Sequence, residues 1–126
     1  MVKEVVLTDK APLPMGPYSQ AIKVDDFLFI SGQVSVDPVT AQPVLGDTRT
    51  QTTRILENLK AILHEVGLTL DNVVRVTVYL KSMKDFGEMN EVYRSYFKTD
   101  PPSRSTVEVG LAGDFNVEID AIAFSE

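Results

Sequence analysis

The chain has 126 residues, a formal charge of −6 and 44% hydrophobic residues, with a mean hydropathy of +0.00 and a pI near 4.7. Those values describe one globular domain, residues 1–126, able to bury a core, and they argue against a polyanionic partner because the mean field repels phosphate and no Lys/Arg run offsets it. The absence of cysteine excludes disulfides and thiolate chemistry, and a single histidine, His64, excludes a multi-histidine zinc site.

The N-terminus lacks the long apolar segment of a signal peptide, so a cytoplasmic location is the expectation. Lys3 to Leu7 has β character, and Pro12, Pro14, Gly16 and Pro17 then break the chain into a loop ending at Tyr18-Ser19. Gln20–Val24 and Phe27–Val34 flank Asp25-Asp26 and read as a hairpin. Phe27-Leu28-Phe29-Ile30 is apolar on both faces, as in a central strand, and runs into Ser31-Gly32-Gln33, where the glycine suggests a bulge or a close backbone approach.

Ile55, Leu56, Leu59, Ile62, Leu63 and Val66 recur at helical spacing, with Asp47 or Thr48 as cap and Gly67 as terminator. His64 lies on the polar side of this helix with Glu57 and Lys60, which reads as a solvated position. Asp71–Lys81 alternates as a strand, with Val74, Val76, Val78 and Leu80 on one face and Arg75, Thr77 and Tyr79 on the other. Phe86, Met89, Tyr93, Tyr96 and Phe97 mark a second amphipathic helix, started by Ser82 or Asp85, whose aromatic stripe reads as core. Asn90 sits one position from that stripe.

Pro101-Pro102 cannot donate to a ladder, so they place Arg104 where a loop feeds a strand, among Ser103, Ser105 and Thr106. In the last strand Val117, Ile119, Ala121 and Ala123 share one parity, while Glu118 and Asp120 share the other. An arginine and a carboxylate on adjoining strands can bracket a small acid, although a structural ion pair is the simpler reading of the residue types. The order of elements gives an α+β domain, a mixed sheet with two helices packed on one face. Its second face, half polar and interspersed with Ile122 and Phe124, suits a subunit interface with ligand pockets.

There is no Gly-x-Gly-x-x-Gly, phosphate loop or His-Glu-x-x-His in the chain. What stands out is Gly16-Pro17-Tyr18-Ser19, Ser31-Gly32-Gln33, Met89-Asn90-Glu91-Val92-Tyr93, Arg104-Ser105 and Val117-Glu118-Ile119-Asp120-Ala121. In this order the motifs resemble the Rid family, the YjgF-like reactive-intermediate deaminases, and most closely its RidA group, over nearly the full length.

The resemblance implies a chorismate-mutase-like subunit in a homotrimer, with one pocket at each interface. It implies that Arg104 binds a substrate carboxylate and that Glu118 activates water, with Tyr18 closing the pocket and Ser31, Gly32 and Asn90 lining it. Thr106 stands where the family usually has cysteine, and the loops before Arg104 and between Val109 and Val117 are short relative to RidA. Thr106 is therefore expected to line the substrate site and alter substrate fit. The implied reaction is hydrolysis of 2-enamino and 2-imino acids, released by pyridoxal-phosphate enzymes, to 2-keto acids and ammonia, with no cofactor and no metal. Apolar neighbours are expected to raise the Glu118 pKa, with Arg104 limiting the rise. The alternatives are a sensor that binds 2-keto acids without turnover, a holdase-like interaction protein and a ribonuclease or translation inhibitor.

Overall fold

The computed structural model describes residues 2–126. Six strands form one sheet, β1 (Lys3–Val6), β2 (Ala21–Val24), β3 (Phe27–Gln33), β4 (Val73–Leu80), β5 (Ser103–Glu108) and β6 (Val117–Phe124), in the spatial order β1-β2-β3-β6-β4-β5. All pairings are antiparallel except β4–β5, so the sheet is mixed, as the element order predicts. Two helices, α1 (Thr48–Glu65) and α2 (Phe86–Tyr96), complete the α+β architecture.

The local signals act as expected. Asp25, at φ 51°, turns the β2–β3 hairpin in the left-handed conformation that aspartate tolerates better than most side chains. Asp47, rather than Thr48, caps α1, its Oδ1 accepting from Thr50 N at 2.8 Å. At the other end Gly67, at φ +75°, donates to His64 O at 3.0 Å while Leu68 N donates to Leu63 O at 2.9 Å, the paired bonds that satisfy the last carbonyls of a helix. Ser82 starts a short 3-10 turn, Met83–Asp85, and α2 follows directly from it.

The core lies between the helices and one face of the sheet. Ile55, Leu56, Leu59, Ile62 and Leu63 of α1 and Met89 and Tyr93 of α2 are buried against Val76, Val78, Leu80, Val117, Ile119, Ala121 and Ala123. One assignment in β4 is corrected. Val73 faces the core and Val74 is exposed, because a register shift against β6 between Val73 and Arg75 reverses the parity at the start of the strand. The aromatic stripe of α2 is likewise only partly core: Tyr93 and Phe97 are buried, whereas Phe86 lies at the surface.

The sheet's other face carries no helix. Phe27, Phe29 and Phe124 are exposed on it, with the Phe27 and Phe124 ring centroids 5.1 Å apart at 62°. Polar Tyr79 and Asp120 share this face, joined by a hydrogen bond of 2.8 Å from the Tyr79 hydroxyl to Asp120 Oδ2.

Candidate active site

The two residues expected to bracket one ligand are not on adjoining strands. β4 lies between β5 and β6, and register sets the side chains on opposite faces. Arg104 pairs with Val76 and Thr106 with Val78, whose side chains are buried under the helices, so Arg104 and Thr106 point to the helix side. Glu118 pairs with Tyr79, and Asp120 with Thr77, on the uncovered side. A single copy of the chain therefore carries two separate groups of candidate residues.

The first group surrounds the guanidinium. Arg104 Nη1 donates to Asn90 Oδ1 at 2.7 Å, which joins two sequence-predicted residues. The guanidinium carbon lies 4.6 Å from the Tyr93 ring centroid and 5.7 Å from that of Phe86. A cavity of about 260 Å³, lined by Asn90, Tyr93, Arg94, Phe97, Pro101, Pro102 and Arg104, opens beside it. Thr106 follows two residues along β5, its hydroxyl enclosed and without a hydrogen-bond partner among the described residues. The Tyr93 hydroxyl is enclosed in the same way, and burial pushes its pKa up to about 12, with Arg104 opposing the rise.

The second group surrounds a carboxylate. β3 bulges between Ile30 and Gln33, and a Cβ built on Gly32 would come within 3.0 Å of Glu118 Cδ and 3.2 Å of its Cγ, so the glycine leaves the space the carboxylate occupies. Ser31 Oγ donates to Ser19 O at 2.6 Å, tying the bulge to the loop that carries Tyr18. Buried Gln20 anchors the same loop, accepting from Thr8 N at 2.8 Å and donating to Pro12 O at 2.9 Å. Tyr18 itself is exposed, and its N–H donates to Gly16 O at 2.8 Å.

Burial holds the Glu118 carboxyl above its ordinary pKa, and the neighbouring Asp120 charge raises it further. The upward direction and its first cause are as expected. The restraining influence expected of Arg104 is absent within the chain, since that residue lies across the sheet.

Tyr93 and Phe86 were not among the candidates from sequence. The signal for them was the spacing 86, 90, 93, which sets Phe86, Asn90 and Tyr93 on one helical face. A larger groove, about 640 Å³, crosses α1 beside Lys10, Lys60, His64 and Leu68, and none of the candidate residues line it. Its charged groups are mixed in sign, Lys10 and Lys60 beside Glu57, Glu65 and Asp71. No cluster of three or more potential metal ligands occurs among the described residues, and no helix there is long and apolar enough to cross a membrane.

The fold and the two groups define a class of α+β protein whose polar candidate residues are arrayed around one mixed sheet. Residues 8–125 match the model of the family described as Endoribonuclease L-PSP, and the chain belongs to this family, which is also called Rid or RutC. It is 54% identical to a RutC family protein of Pyrococcus abyssi, with all of both chains covered. It is also 44% identical to the 2-iminobutanoate/2-iminopropanoate deaminase of Mus musculus, over 98% of this chain and 92% of the mouse protein. Among solved structures, Escherichia coli TdcF with bound serine superposes with a TM-score of 0.92 at 35% identity, covering 98% of this chain and 99% of that one.

Proposed function

We propose that the protein is a cofactor-independent deaminase of small 2-imino and 2-enamino acids, a single-domain subunit acting as a homotrimer in the cytosol. The observation that carries this reading is the division of Arg104 and Glu118 between opposite faces of one sheet, each chemically incomplete alone. Because β5 is an edge strand, copies assembled around the uncovered face, with its Phe27, Phe29 and Phe124, bring the arginine group at that edge of one subunit to the glutamate group of the next. The similarity to the mouse deaminase supports the reaction, and serine bound to TdcF supports a small amino-acid-like ligand.

In this arrangement Arg104 holds the substrate carboxylate bidentately, and Asn90 fixes the guanidinium from the other side. Glu118, its pKa raised by burial, supplies a proton to the enamine carbon and so forms the iminium. It then accepts a proton from water as the water oxygen adds to C2. The hydroxyl of the resulting carbinolamine gives up its proton to the nitrogen, which leaves as ammonia as the carbonyl forms, so one water is consumed for each 2-keto acid released. Gly32 gives the carboxylate room, while Tyr18, Ser31 and Thr106 bound the ligand.

The test couples a serine or threonine dehydratase to the protein and follows 2-keto acid appearance. Acceleration that is lost in Arg104→Ala and Glu118→Gln supports the deaminase, and full activity in Glu118→Gln overturns its mechanism. Binding of 2-keto acids without acceleration by the folded protein would favour a sensor. An RNA substrate, suggested by the family's description, is opposed by the net charge of −6. Light scattering on the purified protein tests the trimer.

A further inference from the structure

α2 turns three uncharged side chains toward Arg104. Phe86, Asn90 and Tyr93 share one helical face: Asn90 Oδ1 accepts from Nη1 at 2.7 Å, and the two rings lie 5.7 and 4.6 Å from the guanidinium carbon. The helix also carries Glu88 and Glu91, either of which would neutralise a guanidinium within reach. Arg49 of α1 engages both instead, at 3.5 Å to Glu88 and 2.7 Å to Glu91. Arg104 is consequently left with no carboxylate partner among the described residues, in a chain with 18 acidic residues against 12 basic ones.

The ring nearest to it is itself packed into the core. Tyr93 is 5% exposed, and its ring centroid lies 4.6 Å from that of Phe97 within the core. A guanidinium is weakly hydrated and stacks on an aromatic face, which attracts the cation without cancelling its charge. We propose that Tyr93, assisted by Phe86, is a positioning residue for Arg104, its ring holding the guanidinium plane so that a planar carboxylate meets an ordered, uncompensated edge. The proposal rests on the carboxylate-clamp reading given above. It assigns the role to the ring and none to the hydroxyl, which has no hydrogen-bond partner among the described residues and stays protonated. An arginine ordered before binding loses less freedom when the ligand arrives.

The experiment compares wild type, Tyr93→Leu, Tyr93→Phe and Phe86→Leu in the assembled protein. Calorimetric titration with 2-oxobutanoate measures affinity, and nitrogen-15 NMR of the arginine side chains reports whether the Arg104 guanidinium is ordered. Tyr93→Leu is expected to weaken 2-oxobutanoate binding about tenfold and to average the Arg104 signals, with KM rising and kcat changing little. Tyr93→Phe, which keeps the stack, should recover most of both losses. A folded Tyr93→Leu protein with wild-type affinity and an ordered Arg104 would overturn the proposal. So would a Tyr93→Phe protein as impaired as the leucine variant, since the hydroxyl would then be the working part. If Tyr93→Leu does not fold, Phe86→Leu should show the same changes to a smaller degree, and wild-type behaviour in both readouts overturns the cradle. Should the wild type bind no 2-oxobutanoate, the carboxylate reading falls, while the NMR comparison of the variants still decides whether the rings order Arg104.

Discussion

The Glu118 carboxylate occupies the space that a side chain on Gly32 would fill, with Glu118 Cδ only 3.0 Å from the position of a Cβ there. The backbone φ of Gly32 is not in the left-handed region, so the glycine serves close approach rather than an unusual turn. Replacement by alanine should therefore leave the backbone in place and displace the end of a flexible side chain. Gly32→Ala is expected to fold with a nearly unchanged melting temperature and to lose roughly a hundredfold in kcat/KM, the scale of loss for a catalytic group moved by about 1 Å. Coupled-assay kinetics beside a thermal melt checks this, and an alanine variant with wild-type kcat/KM would show that Glu118 need not sit where it does.

The protonation of Glu118 should respond to Asp120, which shares its face of β6 and raises its pKa after burial has done so. A glutamic acid that donates a proton is active below its pKa, so activity falls as the pH rises through that value. Asp120→Asn removes the like charge while leaving an oxygen for the Tyr79 hydroxyl, and so lowers the Glu118 pKa. The alkaline limb of the kcat/KM profile is expected to move to lower pH. An unmoved limb would mean that another group titrates there.

The same raised carboxyl has a consequence for stability. A carboxyl with a folded pKa above its unfolded value favours folding at low pH and loses that contribution as the pH rises through the folded value. Glu118→Gln should therefore raise the melting temperature relative to wild type above the folded pKa, with the gain disappearing below the ordinary value of 4.5. Thermal melts at pH 4 and pH 8 give the comparison, and a gain of equal size at both would point to packing rather than charge.

Asn90 is neutral where a carboxylate would fit. Its Oδ1 already sits 2.7 Å from Arg104 Nη1, so Asn90→Asp would create an ion pair with no change of shape. The internal carboxylate then competes with that of a ligand, and binding of 2-oxobutanoate should weaken about tenfold or more while the fold is retained. Titration calorimetry measures it directly, and undiminished affinity would separate Arg104 from ligand binding.

Much of this molecule follows from local rules. The period of Ile55, Leu59, Ile62 and Val66 defines α1, and the alternation of Val117, Ile119, Ala121 and Ala123 defines which face of β6 is buried, because both patterns depend only on neighbours along the chain. The prolines ahead of Ser103 and the glycine at position 67 place an edge and a stop for the same reason. The residue types of the candidate site, Arg104, Asn90, Glu118 and Gly32, were also visible, as was the family.

Strand order and parity at a bulge were not. The sequence has no local signal that β6 inserts between β3 and β4, or that β4 then separates Arg104 from Glu118, since these are pairings between distant segments chosen by the packing of the whole sheet. The exchange of Val73 for Val74 in the core has the same origin in the β4–β6 register. Only the tertiary structure decided that one chain presents an arginine under α2 and a glutamate on the opposite face, because a side chain's face is set by its strand's register and its neighbours by the order of strands.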